Sequence, residues 1–128
     1  MNTLSKTLAV ISLCTGATVA LAHHSFSATY NESKEQVIEG TIAQFLLRNP
    51  HSMLHVMAED ENGVEQRYTI EWAGVSGLAG AGITRTTLRI GDEVTVRGNP
   101  GRNAADHRLR MLSIDRPADG LHWGGTFE

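Results

Sequence analysis

The chain has 128 residues, a formal net charge of −3, six histidines and a single cysteine. That length suits one domain, and the acidic balance argues against a nucleic-acid partner, which requires a basic face. The cysteine, Cys14, lies in a segment expected to be removed. Disulfides, thiolate metal sites and thiol catalysis are therefore excluded from the mature chain.

Residues 1–22 read as a cleavable secretory signal. Lys6 supplies a short positive region, and Leu8 to Leu21 is apolar except for Ser12, Thr15, Gly16 and Thr18. Ala20-Leu21-Ala22 then gives the small-x-small pattern that signal peptidase cuts after. The apolar run is shorter than the roughly 20 residues that span a bilayer. Leu13, before Cys14, is bulkier than lipid attachment wants. A cut after Ala22 leaves 106 of the 128 residues, starting at His23-His24, with ten basic against fourteen acidic side chains once Lys6 is gone. No later stretch is apolar enough to cross a membrane. The expectation is a periplasmic or secreted domain with no stable membrane insertion after cleavage.

Residues 23–35 are polar and irregular, which predicts an extended N-terminal arm ahead of a barrel domain over 36–128. Gln36 to Leu47 is rich in β-branched residues and predicts a long first strand, with Gly40 marking a bulge or bend inside it. Asn49-Pro50 breaks that strand. His51 to Glu59 alternates, with Leu54, Val56 and Ala58 on one face and His51, Met53, His55 and Met57 on the other. Asp60-Glu61-Asn62-Gly63 is a hairpin signal, and Val64 to Trp72 is the returning strand. Tyr68, Ile70 and Trp72 share a face that reads as core.

Ala73 to Arg85 is rich in glycine and alanine and predicts a short helix or a loop. Arg89-Ile90-Gly91-Asp92 turns into a fourth strand, Glu93 to Arg97. Asn99 to His107 reads as a polar loop. Arg108 to Arg116 predicts a fifth strand, with Leu109, Met111 and Ser113 alternating against Arg110, Leu112 and Ile114. The tail from Asp119 holds His122-Trp123 and has room for one more short strand. Three strands, an irregular or helical connection and two strands is the order of an all-β OB-fold, a small five-stranded barrel. A β-sandwich would want about seven strands.

The histidines carry the functional signal. A histidine at position one offers its α-amino group and its imidazole to the same ion. The α-amino pKa of about 7.7–8.0 lets it lose its proton when a metal competes. His24 adds a second imidazole. Nitrogen-rich sites favour Cu(II), Ni(II) and Zn(II), with copper highest in the affinity order. A cut one residue earlier would put His23 second and His24 third, an arrangement that also chelates Cu(II) and Ni(II).

The second candidate is the strand face His51-x-Met53-x-His55-x-Met57, whose side chains stand about 7 Å apart along the strand. Imidazole and thioether together suit copper. A site joining His23 and His24 to His51, with Met53 or His55 nearby, follows. Against it stand ordinary readings: a terminus left by cleavage, a histidine capping a strand end, methionines filling core gaps. His107 and His122 read as surface.

Catalysis has less behind it. Ser25 follows two histidines, but no third member or oxyanion site is evident. A zinc site of His23, His24 and His51 with Glu71 as base is a minor possibility. No haem attachment motif and no phosphate loop occur, and a blue-copper centre would need cysteine. Metal binding without catalysis is the leading expectation, copper first and zinc second. A periplasmic protein- or ligand-binding OB module without metal is the alternative.

Several residues taken together resemble a family of small exported bacterial proteins, domain of unknown function 6152. They are Ala22-His23-His24-Ser25-Phe26, Gly40, Asn49-Pro50-His51, Glu71, Leu88-x-x-Gly91-Asp92-x-Val94-x-Val96-x-Gly98 and Asp119-Gly120. The resemblance implies an exported β-barrel and brings no established activity. Members often carry Leu-x-Arg-x-Gly-Trp in the third connection, where this chain has Leu78-Ala79-Gly80-Ala81-Gly82-Ile83. Met53 and His55 stand where other members tend to have aromatics, so His23, His24 and His51 carry the stronger case for a shared site.

Overall fold

The computed structural model of the protein describes residues 26–127. The expected signal over 1–22 and the candidate ligands His23 and His24 lie outside the described residues. Strands β1 (Gln36–Leu46), β2 (Ser52–Glu59) and β3 (Glu65–Trp72) come first, followed by a short helix α1 (Val75–Gly80). Then come β4 (Glu93–Pro100), a 3-10 turn (Ala104–Asp106), β5 (Arg108–Arg116) and β6 (Leu121–Gly124). Among the described residues, no helix is long and apolar enough to cross a membrane.

The sheet order is β3-β2-β1-β4-β5-β6. Those neighbours are antiparallel, and β3 also meets β5 in parallel, which closes five strands into a barrel. The free edge of β5 is shared. Arg108–Arg110 pair with β3, while Ser113–Arg116 pair with β6. Closure removes the exposed edges that an open sheet would offer to other chains. The OB-like barrel with a short helix after its third strand is as expected.

Alternation places the core. Leu54, Val56 and Ala58 of β2 point inward with Tyr68, Ile70 and Trp72 of β3, all nearly or fully buried. The hairpin between them is fixed locally: Asp60 Oδ1 accepts from the backbone N–H groups of Asn62 and Val64. That turn sets the register Glu59↔Glu65 through Ser52↔Trp72. Every odd-numbered residue of β2 therefore faces outward. Met53 and Met57 are half-buried there, outside the core they were weighed for.

Two bulges re-phase strands in ways that plain alternation misses. In β1 the register shifts between Ile42 and Gln44, so Phe45 turns inward and meets Trp72 with ring centroids 6.0 Å apart. The expected irregularity at Gly40 is instead a close approach: any Cβ there would collide with the Met57 carbonyl. In β5, Gly98 of β4 faces Met111 and Arg97 faces Ser113, leaving Leu112 as the extra residue. Ile114 consequently joins the core rather than the outer face.

Two further expectations are corrected. Strand β4 runs to Pro100 because Asn99, read as loop, is buried and its amide donates to the Lys34 carbonyl at 2.8 Å. The described part of the expected arm is not extended throughout. Residues 26–29 form a helical turn, and Tyr30 bridges Gly101. Phe26 and Tyr30 are buried, so apolar burial anchors this stretch to the barrel.

Candidate site on the outer barrel face

The loop before β2 brings His51 to the barrel wall. Asn49 Oδ1 accepts from the Val75 N–H at 2.9 Å, tying the loop to the start of α1. Gly74 lies so close beneath it that a Cβ would sit 2.5 Å from the Pro50 carbonyl oxygen. Ser52 is fully buried, accepts from the Arg48 N–H and donates to the Arg48 carbonyl. Polar contacts on both sides of His51 thus fix its backbone.

Register then supplies its partner. Met53 faces Glu71 across the β2–β3 ladder, so Glu71 is the diagonal neighbour of His51 on the outer face. His51 Nδ1 lies 2.8 Å from Glu71 Oε1, and the hydroxyl of Tyr30 donates to Glu71 Oε2 at 2.6 Å. A carboxylate accepts here, so Nδ1 is the donor, and in the neutral ring the lone pair is left on Nε2. Among the described residues Nε2 has no hydrogen-bond partner. Burial, and then the hydrogen bond to Glu71, push the Tyr30 hydroxyl well above the ordinary tyrosine range.

Aromatic rings enclose the pair. Phe26 lies 5.1 Å from the His51 ring and Phe127 lies 5.6 Å from it, edge-on. Arg110 sits over Phe26 at 4.1 Å, donates to the Phe127 carbonyl at 2.6 Å and meets Glu32 at 2.7 Å. Arg110 reaches this position because β5 pairs in parallel with β3, Glu71 opposite Arg110. Arg108, one outward position earlier, reaches Glu71 Oε2 only at 3.6 Å.

The remaining candidates fall elsewhere. Met53 and His55 line an adjoining groove with Arg48 and Arg108. Thr69 Oγ1 and His55 Nδ1 are 3.2 Å apart, and burial, followed by the charges of Arg67 and Arg48, lowers the His55 pKa. His107 adopts a left-handed conformation at φ 45° after the 3-10 turn and packs edge-on against Tyr68. His122 is exposed and pairs with Asp115 at 2.6 Å. Among the described residues no three His, Cys, Asp or Glu side chains gather closely enough to hold an ion.

Tyr30, Arg108, Arg110 and Phe127 carry no signal that sequence reading could use, because long-range pairing alone assembles them. Glu71 is different. Counting outward from the Asp60–Gly63 turn places it beside Met53, within reach of His51.

No curated protein and no solved structure matches the chain. The model of a family of unknown function (DUF6152) matches residues 9–110, most of the chain, and the protein belongs to that family.

Proposed function

We propose that the protein is an exported metal-binding β-barrel, periplasmic or secreted, with copper preferred and zinc the second choice. His51 Nε2 is one ligand, and the N-terminal histidines His23 and His24 supply the others. The observation that carries this reading is the His51–Glu71 contact at 2.8 Å, with Nε2 left unpartnered among the described residues. Ligating histidines characteristically give their second nitrogen to a carboxylate, which fixes the tautomer and strengthens the donor.

Chain reach supports the assignment. Phe26 packs on His51, and His24 precedes Phe26 by only two residues, a span of about 7 Å at most when extended. Three imidazoles and a terminal amine are a nitrogen donor set, for which Cu(II) stands highest among the divalent first-row metals. The Arg110 charge beside the site is offset by Glu32. Met53 and His55 lie beside two guanidinium groups, which disfavour a cation there.

Equilibrium dialysis against Cu(II) tests the reading. Protein beginning at His23 should take up about one ion, and a chain with one added residue before His23 should bind much more weakly. Equal affinity for the two termini would remove the N-terminal ligands from the site.

A further inference from the structure

The groove beside the His51 site has a chemistry of its own. It lies on the outer face of β2 and β3, between the loop after β1 and the start of β5, with a volume of about 530 Å³. It is an open depression on the barrel wall rather than an enclosed cavity. Leu46 and Met53 give it an apolar floor, His55 and Thr69 a polar edge, and Arg48 and Arg108 stand along it.

The two arginines leave most of their donors unused, as several surface arginines of this barrel do, but these two share one groove. Arg97, Arg110 and Arg116 each meet a carboxylate, at 3.2, 2.7 and 2.6 Å. Arg48 meets none among the described residues and uses only its Nε, on the His51 carbonyl at 3.3 Å. Arg108 lies over the Tyr30 ring at 5.8 Å and has one long ion-pair contact, to an oxygen of Glu71 that already accepts from Tyr30; its buried Nε has no partner among the described residues. A guanidinium carries five N–H donors in a planar fork that matches an oxyanion. Most of those donors are unused here.

Charge sets the sign of the ligand. The chain is acidic overall, yet the groove is lined by two guanidinium groups and one carboxylate, Asp106, with Glu71 behind Arg108 at 3.6 Å. Asp106 already accepts from the Asn103 amide at 3.1 Å. A polyanion would need a longer row of cations. Two guanidinium groups beside a short apolar floor fit one oxyanion on one apolar body.

We propose that the groove between Arg48 and Arg108 binds a small organic acid, with its carboxylate on the two guanidinium groups and its apolar part on Leu46 and Met53. The groove adjoins the His51–Glu71 pair through Arg48 and Arg108, but the proposal does not depend on a metal being bound there.

Titration of metal-free, ¹⁵N-labelled protein followed by NMR tests the assignment, with hexanoate as probe and hexanamide and inorganic phosphate as controls. Hexanoate should give saturable shifts at the amides of Leu46, Met53, His55 and Thr69. Hexanamide should bind at least tenfold more weakly for want of charge, and phosphate at least tenfold more weakly for want of an apolar body. Arg48→Gln, at an exposed position, should weaken hexanoate about tenfold with the rest of the spectrum unchanged, and Arg108→Gln should do the same. Absence of saturable shifts with hexanoate would overturn the proposal. So would an equal response to hexanamide, phosphate binding as tight as hexanoate, or undiminished binding in Arg48→Gln.

Discussion

Two polar clusters hold this barrel's surface together, and they differ in how completely their groups are used. Arg116 donates to Asp92 at 2.6 Å, to the Thr87 carbonyl at 2.6 Å and to both oxygens of Asp119 at 2.9 and 2.7 Å. Asp92 also accepts from the Arg89 N–H, and Asp119 from the Leu121 N–H. This knot ties the turn before β4 to the turn before β6 through four of the five Arg116 N–H donors. Around Glu71 the pattern is open. Among the described residues one His51 nitrogen and the Arg108 Nε have no partner, though Tyr30 beneath them is fully buried. The first cluster is nearly saturated and structural. The second leaves a ring nitrogen and guanidinium donors unused among the described residues.

That contrast yields opposite expectations for stability and for binding. The largest effect is expected from His51→Ala, which should weaken Cu(II) uptake about a hundredfold or more. It should cost about 1 kcal/mol in unfolding, from the Glu71 contact left unmade and the packing lost on Phe26 and Phe127. Arg116→Ala should reverse the pattern: a loss of about 2 kcal/mol in urea unfolding, from charge-assisted hydrogen bonds left unmade, with copper affinity unchanged. Glu71→Gln should cost about tenfold in copper affinity, because an amide holds the imidazole less firmly than a carboxylate. Tyr30→Phe, nearly isosteric, should cost about 1 kcal/mol of stability.

Acid should act on the knot. The Arg89 N–H and Arg116 hold Asp92 below its ordinary value of 3.8, and Arg116 with the Leu121 N–H does the same for Asp119. The unfolded chain therefore takes up protons first as pH falls. This contribution is complete above pH 3.8 and is lost as pH drops through the lower folded values. Urea midpoints measured against pH should fall in that window, and Asp92→Asn should flatten the fall.

The two clusters were also unequally legible in the sequence. Turn residues announce the knot, since Gly91-Asp92 and Asp119-Gly120 sit at local chain reversals. Alternation likewise gives the outward row His51, Met53, His55 and Met57 and the inward row Leu54, Val56 and Ala58. The bulges at Ala43 and Leu112 stay hidden because they are set by what the neighbouring strand presents. Asn99 reads as loop because its polarity is visible and its buried partner, the Lys34 carbonyl, is not. His51 was recognisable as a ligand type, but its union with Glu71, Tyr30 and Phe26 needs three separate long-range pairings. Met53 and His55 look equivalent to His51 by spacing. The Glu71 carboxylate on His51, and Arg48 and Arg108 beside Met53 and His55, set them apart.

Native mass spectrometry of the protein recovered from an exporting cell, before and after loading with Cu(II), tests the central claim most directly. It reads the first residue and the metal content in one spectrum. The expected result is a chain starting at His23 that carries one copper ion, with the ion absent in His51→Ala. A chain starting at His23 that remains metal-free after loading, or that holds copper equally well in His51→Ala, would contradict it.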